Sequence, residues 1–275
     1  MSTPGTSPTT DLLRGKRILV TGVLTPKSIA FAIADSCQRA GADVVLTSFG
    51  RAMSLTQRSA KRLDPAPEVL ELDATDPAQA KAVAEHVKGT LGGLDGAVHA
   101  IGFAPEDCLG GGFLDAPWSS VATAIHVSSY SLQALAAAFV PVMPETGGSL
   151  VALTFDARIA WPLYDWMGPA KAALESIARY LARELGPRRI RVNTISAGPL
   201  ETIAAKSIPG FEVLKASWGR QAPLGWDSAD SGPVADTAAF LLSDLARAIT
   251  GEMIHVDGGY HSQGAPLIPT VEVKS

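Results

Sequence analysis

The chain has 275 residues, 47% of them hydrophobic and 18% charged, with 26 glycines and 19 prolines, a globular composition that excludes disordered, fibrous and collagen-like proteins. A formal charge of −4 provides no basic footprint for nucleic acid or for an anionic membrane surface. The two cysteines, Cys37 and Cys108, are too few for a disulfide framework and lack metal-ligand spacing, so a reducing cytoplasmic setting is expected.

Residues 2–10 are Ser, Thr, Pro and Gly only, a composition that cannot support a packed segment, and residues 1–14 are expected to be a disordered leader. The leader has neither the basic nor the apolar region of a secretory signal. From Lys16 short apolar runs alternate with longer helical stretches. Arg17 to Gly22 precedes a helix from Ser28 to Ala40, Asp43 to Ser48 a helix from Arg51 to Leu63, and Val69 to Leu72 a helix from Asp76 to Leu91. Leu94 to Gly102 leads through a loop to a helix ending near Met143. Its most apolar stretch, Leu132 to Met143, has twelve residues and contains Pro141, against the roughly twenty needed to cross a bilayer. Ser149 to Thr154, a helix from Asp165 to Leu185, Ile190 to Ser196, a polar helix from Val234 to Ser243 and Met253 to Gly259 complete the order. Seven nearly continuous apolar strands linked by helices predict an α/β protein with one doubly wound parallel sheet and helices on both faces. No Pro/Ser-rich break divides residues 15–262, which are expected to form a single domain, with 263–275 as an irregular tail.

After the first strand, Thr21-Gly22-Val23-Leu24-Thr25-Pro26-Lys27-Ser28-Ile29-Ala30 runs into a helix. Gly22 permits a tight turn, and a helix opening at Ser28 presents unpaired amides and a positive dipole end that suit a pyrophosphate. The three-glycine dinucleotide fingerprint is absent, and alone this segment reads equally as an ordinary strand-to-helix loop. No acidic residue ends the second strand, where the sequence is Thr47-Ser48-Phe49-Gly50-Arg51. Phe49 suits the face of an adenine or ribose. Arg51 offers a partner for a 2′-phosphate, which keeps NADPH open beside NADH, or else is a solvated residue of the next helix. Asp73 ends the third strand, as an adenine contact or as a turn residue.

Tyr164 and Lys171 are seven residues apart, close to two helical turns of about 7.2 residues, so both project from one face near a helix start. A nearby ammonium favours tyrosinate and can hydrogen-bond a ribose diol, and the phenol then serves as proton or oxyanion donor to a carbonyl. The same spacing fits a buried phenol and a snorkelling amine. Pro169 is tolerated only in a first turn, so the helix is expected no earlier than about Trp166, with Tyr164 just outside it.

The run Gly22 to Ala30, the segment Ala100 to Phe103, the stretch Phe155 to Ser176 and the segment Ser196 to Ile208 together resemble the enoyl-acyl carrier protein reductases. These are a divergent branch of the short-chain dehydrogenase/reductase superfamily, and the likeness is strongest to the actinobacterial, mycolic-acid-type NADH-dependent branch. The resemblance spans Leu12 to about Gln263 and implies a Rossmann-type domain, NADH as cofactor, an enoyl thioester substrate on acyl carrier protein or coenzyme A, and a homotetramer. It places Tyr164 on the thioester carbonyl, Lys171 on the nicotinamide ribose and Phe155 over the reacting carbons. Gly22, Ser28 and Ile29 match the pyrophosphate turn, and Phe49, Asp73 and Ala74 the adenine and ribose pocket. Ala100, Ile101 and Gly102 match the strand end beneath the cofactor, and Ala197, Pro199, Leu200 and Thr202 the segment over carboxamide and phosphates. The family's lid, here about residues 202–226, is shorter than in the mycolic-acid-type enzymes, so ordinary or short acyl chains are expected.

The five histidines, His86, His99, His126, His255 and His261, show no paired spacing and no carboxylate or cysteine cluster, so they are expected to be structural and no metal site is expected. The alternatives are a carbonyl or imine reductase on the same cofactor, disfavoured by the seven-residue spacing and by Phe155, and a catalytically silent NAD-binding sensor, disfavoured by the presence of Tyr164 and Lys171.

Overall fold

The computed structural model describes residues 11–206 and 208–264. Its seven strands are β1 (Arg17–Val20), β2 (Asp43–Ser48), β3 (Glu68–Glu71), β4 (Gly96–His99), β5 (Gly148–Thr154), β6 (Ile190–Ala197) and β7 (Met253–Val256). All pair in parallel, in the order β3-β2-β1-β4-β5-β6-β7. The sheet is the expected doubly wound one, and the order reverses between β1 and β4, which opens a crevice at their carboxyl ends.

Both faces are buried because successive strand residues point to opposite sides. Ile18 and Val20 enter one core with α1 (Ile29–Arg39) and α9 (Gly232–Leu242), while Leu19 enters the other with α3 (Pro77–Leu91), α5 (Ser131–Phe139) and α6 (Met167–Leu185). Local signals set several ends. Asp76 caps α3 by accepting from the amides of Ala78 and Gln79, Pro77 is its first residue, and Gly92 closes it at φ 78°. β1 stops two residues before Gly22, and β7 before Gly258 and Gly259, where the backbone turns through positive φ.

Three expectations change. The chain packs into the fold from Asp11, within the expected leader: Leu13 is fully buried and its amide bonds the carbonyl of Ala40. The helix near residues 234–243 is apolar, and Val234, Ala235, Ala238 and Leu241 of α9 are core residues against α1. The stretch around Leu132 belongs to a continuous helix of 25 residues, Trp118–Val142. It comprises α4 (Trp118–Ile125), a π-turn (His126–Tyr130), α5 and a closing 3₁₀ turn. Pro141 is tolerated because it sits in that final turn. By length and composition this helix could cross a bilayer. In the fold its apolar face is core, with Leu132, Leu135, Ala136 and Phe139 against α3 and α6. Residues 1–10 and the tail from 265 lie outside the described residues.

Candidate active site

Every residue predicted for the site lies beyond, or at, the carboxyl end of a parallel strand. At β1, Gly22 has φ 81°, and a Cβ there would lie 2.1 Å from the carbonyl oxygen of Ala100, so only glycine lets the β1 and β4 ends approach. Thr21 fixes the same contact: its hydroxyl donates to Val98 O at 3.0 Å and accepts from the Ala100 amide at 3.0 Å. Ser28 stands at the N-cap of α1, but its hydroxyl points back into the turn, accepting from the amides of Leu24 (3.2 Å) and Thr25 (3.0 Å). The start of α1, at Ile29, therefore has no side-chain cap, which leaves its dipole end available to an anion.

Phe49 follows β2, half exposed, and Arg51 sits in the short turn Gly50–Ala52. Asp73 follows β3, where its Oδ1 accepts from the amide (2.9 Å) and hydroxyl (2.7 Å) of Thr75 and its own amide donates to Gln79. One carboxylate oxygen thus makes the turn, beside buried Ala74. Ala100, Ile101 and Gly102 follow β4. Ala197 ends β6, and the next residues run Gly198, Pro199, Leu200, Glu201 and Thr202. Leu200 is core, and Thr202 accepts from the Ala205 amide to cap the short α7 (Ile203–Lys206).

α6 begins at Met167 with Pro169 in its first turn, so Tyr164 lies in the turn before the helix and shares no helix face with Lys171. That turn is strained, with positive φ at Leu163 and Asp165. The loop ahead of α4 holds it in place: Gly110 N donates to Leu163 O, Trp166 N to Cys108 O, and Gly111 N to Asp165 Oδ2. Lys171 reaches Leu153 O at 2.9 Å, and its Nζ lies 3.6 Å from where a Cβ on Gly102 would stand. The ammonium therefore sits between the ends of β4 and β5.

Burial dominates the electrostatics. It raises the Tyr164 pKa, and the charge of Glu175 raises it further, so the surroundings favour the neutral phenol over the tyrosinate that a nearby ammonium would favour. Lys171 is lowered to about 8 by burial, against the opposing charge of Glu175. Glu175, buried in α6 four residues after Lys171, accepts from the Thr154 hydroxyl (2.8 Å) and the Ala157 amide (3.2 Å). Burial raises its pKa.

Several supporting residues went unpredicted. Ser128, Ser129 and Ser131, all fully buried in or beside the π-turn, tie the long helix to the site. Ser128 exchanges bonds with the backbone of Phe103, Ser129 donates to Ala170 O just ahead of Lys171, and Ser131 meets His99 Nε2 at 2.7 Å. Because Ser131 donates to Val127 O, His99 must donate to Ser131. His99 is neutral, lowered to about 3 by burial and then by the charge of Lys171.

Histidines also find the carboxylates that sequence spacing did not suggest. His255 Nε2 lies 2.9 Å from Asp156 Oδ2, His261 Nδ1 lies 3.0 Å from Asp257, and the two imidazoles stack with centroids 3.8 Å apart. His86 meets Glu68 at 3.0 Å. The four-residue step from Asp257 to His261 was the readable signal.

Phe155, immediately after β5, stands edge-on to Tyr164 with centroids 5.4 Å apart. Behind it are Trp161 at 4.6 Å and Trp218 at 5.9 Å, the latter from α8 (Phe211–Gln221) of the predicted lid. The family model described as Enoyl-(Acyl carrier protein) reductase matches residues 22–261. The chain belongs to this family. It is 43% identical over 268 residues to the NADH enoyl-acyl-carrier-protein reductase of Mycolicibacterium smegmatis, covering 92% of this chain and 99% of that protein. The reductase of the same name from Mycobacterium avium is 42% identical over 265 residues, covering 92% and 98%. That of Aquifex aeolicus is 40% identical over 254 residues, covering 92% and 94%. This reductase-family chain therefore aligns with such relatives across almost their whole length.

Proposed function

We propose that this chain reduces trans-2-enoyl thioesters, carried on acyl carrier protein or coenzyme A, with NADH, in fatty-acid or related lipid synthesis. The single observation that carries the proposal is the buried Tyr164 phenol beside Phe155, ahead of the helix that delivers Lys171 to the strand ends. Relatives named as NADH enoyl-acyl-carrier-protein reductases over nearly their full length support the same substrate class and cofactor.

The residues present fit a dinucleotide. Gly22 admits close backbone approach, the start of α1 lacks a side-chain cap, and Lys171 stands where two strands end. In this proposal Ile29 and its helix dipole hold the pyrophosphate, and Phe49, Asp73 and Ala74 enclose the adenine and ribose. Lys171 donates to the nicotinamide ribose hydroxyls above Ala100, Ile101 and Gly102, and Ala197, Pro199, Leu200 and Thr202 close the far side. When bound, NADH supplies the hydride that reduces the β-carbon. Tyr164 donates its hydroxyl to the thioester oxygen and stabilises the negative charge that develops there. Phe155 packs beside the reacting carbons and shields them from bulk water, and the α-carbon takes its proton from solvent or through a relay.

Residues 202–226 serve as the lid, and 15–262 act as one domain. A cytoplasmic homotetramer belongs to the same proposal, supported by the exposed aromatic residues Trp118, Tyr130 and Tyr180 on the outer face of α4, the π-turn and α6. Light scattering reads the assembly directly.

NADH oxidation with crotonyl and longer enoyl thioesters, and with a panel of ketones, tests the activity. Turnover of the thioesters is expected. Turnover of ketones alone would make the chain a carbonyl reductase, and NADH binding without any turnover would make it a sensor. Tyr164→Phe should lower the transition-state stabilisation on the order of 2 to 4 kcal/mol, with NADH affinity retained. An unchanged rate would show that another group binds the oxygen.

A further inference from the structure

Beyond Phe155 the space is occupied by rings from three separate parts of the chain. Trp161 comes from the loop after β5, Trp218 from α8, and Tyr260 from the turn after β7. Trp161 packs on Phe155 at 4.6 Å, on Trp218 at 5.2 Å and on Tyr260 at 6.2 Å between centroids, and Trp218 stacks on Tyr260 at 3.6 Å with planes 11° apart.

These rings are held tightly. Trp161 Nε1 donates to the carbonyl oxygen of Asp156 at 2.6 Å, and Asp156 is itself buried and fastened to Arg158 and His255. Trp218 is 2% exposed, and its buried Nε1 has no hydrogen-bond partner among the described residues; its stacking on Tyr260 is kept in spite of that cost. Gly198 leaves no slack beneath, since a Cβ there would come within 2.7 Å of Trp226 and 2.9 Å of Trp218 Nε1. A flexible aliphatic side chain gives way to a ligand by changing rotamer, whereas a hydrogen-bonded indole wedged among three other rings does not.

We infer that Trp161, backed by Trp218 and Tyr260, is the end wall of the acyl pocket and restricts this reductase to short enoyl chains. The inference rests on the enoyl-thioester activity proposed above. With the thioester oxygen on Tyr164 and the reacting carbons beside Phe155, the carbons that follow run along Phe155 towards the lid and meet the Trp161 indole. Up to that point each buried methylene strengthens binding about four-fold. Past it, a longer chain gains nothing unless an indole moves.

The test compares kcat/KM of the intact enzyme for trans-2-enoyl thioesters from the four-carbon crotonyl to the sixteen-carbon chain, and repeats the series for Trp161→Ala and Trp161→Phe. For the unaltered enzyme, efficiency is expected to peak among the short chains and to fall at least ten-fold by the longest. Trp161→Ala is expected to raise the ratio of long-chain to short-chain efficiency at least ten-fold, with Trp161→Phe in between. A residue that merely supports the fold would lower all chains together and leave this ratio alone.

Should Trp161→Ala fail to fold, quenching of tryptophan fluorescence by saturated acyl thioesters, titrated into the unaltered enzyme with NAD present, reads the same wall. Affinity is expected to stop rising at short length. Efficiency or affinity that climbs to the longest chain, or an unchanged ratio in a folded Trp161→Ala enzyme, overturns the inference while leaving the enoyl reductase activity standing. No turnover of any thioester, crotonyl included, overturns the activity and this inference with it.

Discussion

At the ends of β1 and β4 the candidate site is made of backbone and small residues, whereas the loop after β5, α8 and the turn after β7 fill their side of it with rings. On the first side Gly22, Ser28, Ala100 and Gly102 bring chain close to chain, and specificity lies in the absence of side chains. On the second, Phe155, Trp161, Trp218 and Tyr260 interlock, and specificity lies in filled volume. The pyrophosphate is the same group in every dinucleotide, and a backbone cradle fits it without adjustment. An acyl chain varies in length, and only bulky, locked side chains measure length.

The largest effect is expected at Gly22. Gly22→Ala combines a positive φ with a methyl group 2.1 Å from the Ala100 carbonyl oxygen. The backbone strain and the overlap together are expected to destabilise the fold by about 3 kcal/mol and to weaken NADH binding by a comparable factor. Gly15 provides the control: its φ is 71° but nothing among the described residues lies within 4 Å of an added Cβ. Gly15→Ala is expected to cost about 1 kcal/mol from the backbone alone, with NADH affinity unchanged. Thermal unfolding and NADH fluorescence titration measure both. Equal effects at the two glycines would mean that the close approach of β1 and β4 is not what the cofactor needs.

A smaller effect joins the two sides through Lys171, which bonds Leu153 O in β5 and stands close to Gly102 beyond β4, and Glu175, which bonds Thr154 at the β5 end. The Lys171 pKa is about 8 in the fold against an ordinary 10.5. Above about pH 8 the ammonium proposed to donate to the ribose is lost, so NADH affinity should fall. The stability of the cofactor-free protein moves the other way. Between about 8 and 10.5 the unfolded chain binds this proton and the folded chain does not, so stability rises with pH across that window. Glu175→Gln removes the charge that holds the Lys171 pKa up, while its amide oxygen still accepts from Thr154. The midpoint of the NADH affinity profile should therefore move to lower pH. A midpoint that stays in place would show that Lys171 titration does not govern NADH affinity.

The backbone-made side was far more legible in sequence than the ring-made side. The strand ends, Gly22, Asp73 and the start of α6 follow from local signals, namely apolar runs, a glycine after a strand and Pro169 in a first turn. Tyr164 and Lys171 were identified, but their common helix face was not formed, because Pro169 and the strained turn at Leu163 and Asp165 place the tyrosine before the helix. Trp161, Trp218 and Tyr260 meet only through tertiary packing, and their spacing carries no period by which they could be found. Ser128, Ser129 and Ser131 stand in an apolar helix where a π-turn, invisible in the pattern, sends their hydroxyls into the protein. Glu175 was the readable omission, since it lies one turn beyond Lys171 on the same helix.

The smallest expected effect tests what holds the rings from below. Burial of Asp156 opposes its ionisation, but hydrogen bonds from Arg158 and His255 outweigh it and hold the pKa below the ordinary carboxylate value of 3.8. A carboxylate so lowered adds stability that is fully present above about pH 4 and is lost as pH falls through the folded value. The Arg158 side chain is 61% exposed, so solvent screens much of its share, and Asp156→Asn is expected to cost about 1 to 2 kcal/mol at neutral pH. Urea unfolding at a series of pH values should show that gap constant down to about pH 4 and shrinking below it. Trp161 bonds the Asp156 main-chain oxygen, which this substitution leaves in place, so the chain-length profile should keep its shape while overall stability falls. A profile that lengthens in Asp156→Asn would show that the charged cluster, and not ring packing alone, fixes the wall.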